Sequence, residues 1–146
     1  MRRVVSMRSV ALAVALTATA AGGCVKPPTM NLALGAETTL TLSPGVESAP
    51  LGDQLRITFL AVANDSRCPI DAMCFWAGNA AVVLGMRLGT GPAIPDTLNT
   101  AVTPNDATWW GYRITVVGLT PTPRAAVPVE PAEYRVTLRV LRFGPD

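Results

Sequence analysis

Apolar residues recur at every second position over long stretches of this chain, and that period excludes a helical fold before anything else is considered. Tyr134, Val136, Leu138 and Val140 alternate with Arg135, Thr137 and Arg139. A strand collects the first set on one face and the second on the other, whereas a helix would scatter both around its axis. The same alternation runs through Leu55, Ile57, Phe59 and Ala61 within 54–62, through Ala80, Val82, Leu84, Met86 and Leu88, and through Tyr112, Ile114 and Val116. Weaker strand patterns lie at 31–34, 38–42 and 97–102, which makes about seven. Prolines at 44, 50, 69, 92, 95, 104, 121, 123, 128 and 131 fall between these runs, where a missing N–H breaks no ladder. Short strands with Pro- and Gly-rich connections predict an all-β antiparallel sandwich over residues 30–146, immunoglobulin-like in general shape, with a small closed barrel as the alternative.

The first 23 residues read as an export signal rather than as part of that domain. Arg2, Arg3 and Arg8 precede an uncharged Ala/Val/Leu/Thr run at 10–21, too short to span a bilayer. Two cleavage readings compete: an A-x-A site at Ala18-Thr19-Ala20, and Ala21-Gly22-Gly23-Cys24. The second resembles the lipobox of bacterial lipoproteins, although Ala21 stands where that motif usually has Leu. It is preferred because it accounts for the odd one of three cysteines. It implies a lipidated Cys24, a short Pro-containing tether at 24–29 and a membrane partner. Val25, with no Asp in that position, resembles the outer-membrane-sorted members of that class. Removing Arg2, Arg3 and Arg8 leaves nine basic against ten acidic residues, so the formal +2 becomes −1. No basic face for nucleic acid remains.

Composition narrows the chemistry further. The chain has no histidine, which removes the usual general base and the commonest transition-metal ligand. Neither a metal site nor a cofactor is expected, and the domain reads as non-enzymatic. Asp65 and Asp71 could in principle pair as the carboxylates of a weak glycan hydrolase, but two Asp in one stapled loop more often form turns.

One loop, from Asp65 to Ala80, carries most of the specific signal. Its cysteines, Cys68 and Cys74, are expected to form a structural disulfide in an oxidising compartment. A C-x5-C spacing is not the C-x-x-C of redox pairs, and Met73 as a third soft copper ligand finds no histidine to complete a site. Asp65 and Arg67 are expected to hold the loop, one by accepting N–H groups and the other by pairing with a carboxylate or capping carbonyls. Trp76 is expected to fold back over the bridge. The pattern D-S-R-C-P-x4-C-x-W-A-G-x-A, which includes Gly78, resembles the signature of a group of small, uncharacterised bacterial secreted proteins and lipoproteins. That resemblance implies a loop between two strands of a β domain and supplies no activity.

The aromatic residues suggest where a ligand surface lies. Five of eight fall in two segments, Phe75 and Trp76 in the loop and Trp109, Trp110 and Tyr112 further on. Continuing the alternation back from Tyr112 places Trp110 inside and Trp109 outside, so Trp109 and Phe75 are the candidate contact residues. The functional expectation is a membrane-anchored envelope lipoprotein acting as a binding or structural module, with an envelope protein or cell-wall glycan as partner. The alternative is an enzyme inhibitor that presents the stapled loop.

Overall fold

The computed structural model describes residues 30–52 and 54–144; the export signal, Cys24 and the tether lie outside them. Seven strands follow in chain order: β1 (Glu37–Leu42), β2 (Leu55–Asp65), β3 (Ala80–Leu88), β4 (Ile94–Asn99), β5 (Asp106–Trp109), β6 (Tyr112–Thr120) and β7 (Arg135–Arg142), with one 3-10 turn at Pro131–Glu133. They make two antiparallel sheets, β1-β7-β6-β5 and β2-β3-β4. The sheets stay open and face each other as a sandwich. The first strand pairs with the last, an order different from the immunoglobulin one, in which the first pairs with the second.

Alternation places the core where the sequence predicts it over most of the fold. Leu55, Ile57 and Phe59 of β2, Val82, Leu84 and Met86 of β3, Leu98 of β4, Ile114 and Val116 of β6 and Val136, Leu138 and Val140 of β7 form one buried cluster between the sheets. Full burial of each such aliphatic or aromatic side chain contributes about 1.5–3 kcal/mol. The polar face of β2 and β3 carries Arg56 directly opposite Arg87. Glu47 lies between them, 2.6 Å from Arg87 Nε and 3.3 Å from Arg56 Nη1, and cancels a like-charge pair that would otherwise strain the ladder.

Three strand expectations need correction. β2 runs on to Asp65, with register shifts after Phe59 and after Val62, so Leu60 and Ala61 both turn outward instead of Ala61 joining the core. A bulge inserts one residue and reverses the phase, which simple alternation does not anticipate. β4 runs over Ile94–Asn99 rather than 97–102, so Pro95 lies inside it, paired with Gly85. β4 is an edge strand, where a proline costs no ladder bond. Residues 31–34 form no strand; Met30 instead makes an isolated bridge to Leu51, and the seventh strand is β5, from a mostly polar stretch.

The sandwich has two distinct ends. At the near end Met30 N donates to Pro50 O at 2.9 Å, Arg142 Nη1 donates to Leu32 O at 2.9 Å and Tyr112 Oη donates to Leu51 O at 3.4 Å, which gathers the start of the described chain with the start of β2 and the end of β7. At the far end lie the end of β2, the start of β3, the end of β6 and the start of β7. β2 alone has 11 residues and spans roughly 35 Å between the two ends.

Candidate functional site

The loop joining β2 to β3 at the far end is the most elaborately fixed part of the surface. It begins with an ion pair. Asp65 Oδ1 accepts Arg67 Nε at 2.8 Å and Arg67 N at 3.2 Å, while Oδ2 accepts Arg67 Nη2 at 2.6 Å. The same guanidinium crosses to the other sheet, where Nη2 donates to Pro121 O at 2.8 Å and Nη1 donates to Leu119 O. Tyr134 Oη, just before β7, donates to Asp65 Oδ2 at 3.0 Å. Arginine's planar fork can serve a carboxylate and two carbonyls at once, which lysine could not. Asp65 and Arg67 together form a clasp between the sheets.

The rest of the loop is tied down in the same way. Ile70 N donates to Pro123 O at 3.0 Å, and Ala125 N donates to Asp71 Oδ1 at 2.7 Å, so the loop lies along the β6–β7 connection. Cys68 and Cys74 are joined in a disulfide with 6.0 Å between Cα atoms. Closing so short a ring removes about 2–3 kcal/mol of unfolded-chain entropy. At the loop's base Ser66 N and Oγ both donate to Asn79 O, at 2.7 and 2.9 Å. The Asn79 side chain accepts from Thr100 N and Ala101 N and donates to Asn99 Oδ1 at 2.7 Å. Nothing in the sequence singles out Asn79, because the side-chain partners it holds lie 20 to 22 residues away on another connection. Gly78 has φ +72°, and a Cβ there would stand 1.9 Å from Ser66 O. Only glycine lets the two arms of the loop come this close.

What the clasp leaves outside is apolar. Met73 and Phe75 are fully exposed, Trp76 is 77% exposed and Ile70 58%. Trp76 therefore does not seal the disulfide as expected; it lines an open groove of about 430 Å³ together with Ser66, Ala77, Gly78, Asn79, Ala101 and Val102. The hydrophobic term favours covering such side chains, but the disulfide and the bonds from Asp65 to Ala72 set the loop's course and leave them outward.

Trp109 and Trp110 also depart from expectation. The β5–β6 hairpin turns through Trp110 and Gly111, with φ of +47° and +76°, the pair of left-handed residues that a two-residue type I′ turn demands. Trp110 thus sits in the turn rather than on a strand, yet it is partly buried against the core, so it lies inward as expected but not by strand alternation. Trp109 is half-buried against the core, and its Nε1 donates to Asp96 Oδ2 at 3.2 Å, linking the edge strands β5 and β4. Its ring centroid is 5.3 Å from that of Trp110. Trp109 is a structural fastening, so of the two candidate contact residues only Phe75 is presented to solvent.

No family model, curated protein or solved structure matches this chain. Its function has to come from the chemistry of the site. Neither loop carboxylate is free: Asp65 holds Arg67 and Tyr134, and Asp71 holds a backbone N–H. No group of three His, Cys, Asp or Glu residues among the described residues is placed to hold a metal ion.

The clasp makes stability depend on pH. Burial raises the Asp65 pKa, but the hydrogen bonds and charge of Arg67 outweigh it and hold the carboxyl below the ordinary carboxylate value. Glu47 is lowered as well, chiefly by its bond to Arg87. A depressed folded-state pKa gives stability that is fully present above the unfolded value of about 4 and is lost as pH falls through the folded one. Burial and the Asp65 bond raise Tyr134, whose contribution is present below about 10 and is lost as pH rises through its folded value. Chemical denaturation across pH should show a plateau at neutral pH and a fall below about 4. Asp65→Asn should lower the plateau and flatten part of that fall; an unchanged acid limb would contradict the clasp's part in it.

Proposed function

We infer that the protein is a membrane-anchored envelope lipoprotein that acts as a non-enzymatic binding module, with the tip of the stapled loop as its contact surface. One observation carries this reading. A loop held by a disulfide, a clasp of ion pair and hydrogen bonds between the two sheets, and a glycine that admits no side chain displays four large apolar residues, Ile70, Met73, Phe75 and Trp76, to solvent. Large apolar side chains held in the open on one short loop are the usual material of a contact surface. Rigidity supports the reading too, because a loop already held in one conformation loses little entropy when a partner covers it.

The non-enzymatic part is supported by the use to which the loop's carboxylates are put. An acid catalyst needs a carboxyl that can carry a proton, and Arg67 favours the charged form of Asp65. The anchor is supported by the basic start, the apolar run and the Cys24 motif, and kinship with the small exported proteins that share the loop signature belongs to the same proposal. A protruding stapled loop also suits an inhibitor that enters an enzyme's cleft, which is one form of the same binding role.

The test is retention on defined envelope fractions. Detergent-solubilised chain, wild type beside Phe75→Ser/Trp76→Ser, is passed over solubilised envelope proteins and over isolated cell-wall glycan. Retention on one fraction that falls at least tenfold in the double variant is expected. Equal retention of the two chains would contradict the assigned surface.

A further inference from the structure

We propose that Met73 is a modification site: a two-electron oxidant such as hydrogen peroxide converts its thioether to the sulfoxide ahead of the other methionines of the described residues, and the polar group so formed switches off the apolar tip without unfolding the domain. The proposal deepens the reading above and rests on it for the tip as a contact surface.

Exposure selects the residue. Met73 is fully exposed and Met30 is 47% exposed, whereas Met86 is 0% exposed in the core. Peroxide has to reach sulfur from solvent, so this order is also the order of reaction. Thiols do not compete within the loop, because Cys68 and Cys74 are already joined. Met73 lines an open hollow of about 190 Å³ with Cys74 and Phe75, and peroxide is small enough to enter it from any side. The sulfur attacks one peroxide oxygen, and an S–O bond forms as the O–O bond breaks. The proton on the transferred oxygen passes to the departing hydroxide, which leaves as water; sulfur is oxidised by two electrons and peroxide is reduced. A dithiol reductase reverses the step, two thiols closing to a disulfide while the sulfoxide oxygen leaves as water.

The way residue 73 is held makes the modification a change of surface rather than of fold. Ala72 N donates to Pro69 O at 3.2 Å and Ala125 N donates to Asp71 Oδ1 at 2.7 Å on one side, and Cys74 is fixed by the disulfide on the other. Residue 73 lies between these held points, so the oxidised side chain stays on the tip beside Phe75. A sulfoxide adds a strong hydrogen-bond acceptor to an apolar surface, and a partner that covers it must strip water from the new group. Met86, whose oxidation would break packing between the sheets, is shielded from the same reagent.

The experiment treats the full chain in detergent with hydrogen peroxide for graded times, stops the reaction with catalase, and follows it by peptide mass spectrometry, thermal unfolding and retention on the two envelope fractions named above. Met73→Leu, apolar and without sulfur, and Met73→Gln, polar and of similar length, run beside it. Met73 should gain one oxygen ahead of Met30 and about tenfold or more faster than Met86. Chain oxidised at Met73 alone should melt within about 2 °C of untreated chain. It should lose retention about tenfold, as should untreated Met73→Gln, while Met73→Leu should be retained equally before and after peroxide. Oxidation of Met30 or Met86 in step with Met73 overturns the site. A large fall in Tm on oxidation of Met73 alone, or retention that ignores the sulfoxide, overturns the switch. Untreated chain retained on neither fraction removes the contact surface itself and the switch with it, a result distinct from retention that persists after oxidation.

Discussion

Arg67→Ala is expected to lower stability by about 3 kcal/mol, read as a fall in Tm of roughly 10–15 °C for a domain of this size. Arg67 and Asp65 are 13% and 11% exposed, so the pair is nearly withdrawn from water. Removing the guanidinium strands the carboxylate of Asp65 with only Tyr134 and one backbone N–H, and it leaves the carbonyls of Leu119 and Pro121 without their donor. Breaking one side of such a pair costs far more than the pair's net contribution, because the remaining charge stays buried. Arg67→Lys should recover only a minor part, since a single ammonium cannot satisfy a carboxylate and two carbonyls from one position. Thermal unfolding of the three chains checks this. A loss below about 1 kcal/mol for Arg67→Ala, the size expected of an exposed ion pair, would mean that the sheets are not joined there.

The second large effect is expected at Gly78. Gly78→Ala should cost about 2–3 kcal/mol, the sum of a left-handed φ, about 1 kcal/mol, and a steric conflict that only a backbone shift can relieve. The conflict is with backbone rather than with a movable side chain: the new methyl would meet Ser66 O at 1.9 Å and Arg67 Cα at 2.8 Å. Moving Ser66 away would break its two bonds to Asn79 O. Gly45 is the natural control. It has φ +76° but nothing within 4 Å of an added Cβ, so Gly45→Ala should show the conformational part alone. Equal losses at the two positions, measured by denaturant unfolding, would show that the loop arms are not in close contact.

These two residues also show what can be learned from sequence and what cannot. Asp65, Arg67 and Gly78 stand out because charged residues and a glycine beside a short cystine ring have few other uses. Their partners do not stand out, because Leu119, Pro121 and Tyr134 are 52 to 69 residues away and only the packing of one sheet on the other brings them near. The core of β3, β6 and β7 follows directly from the alternation of Val82, Ile114 and Leu138. The second half of β2 does not, because the bulges after Phe59 and Val62 reverse the phase without any change in composition. Trp110 misleads for a similar reason: large aromatics usually occupy strand interiors, and here the hairpin places one in a turn at positive φ, a conformation more often given to Asn or Gly. Trp76 misleads most. A tryptophan beside a disulfide in a small domain is usually part of the core, and nothing in its neighbours in sequence reveals that the clasp turns the loop so that the ring faces solvent.

That division of the loop into residues that hold it and residues that it displays is the central claim, and thermal unfolding of Phe75→Ser/Trp76→Ser tests it most directly. If the clasp and the disulfide hold the loop and the aromatic pair is only displayed, the double variant should melt within about 2 °C of wild type, since exposed substitutions usually change stability by less than about 0.5 kcal/mol. A fall approaching that of Arg67→Ala would mean that Phe75 and Trp76 pack into the fold, and the tip would then be core rather than contact surface.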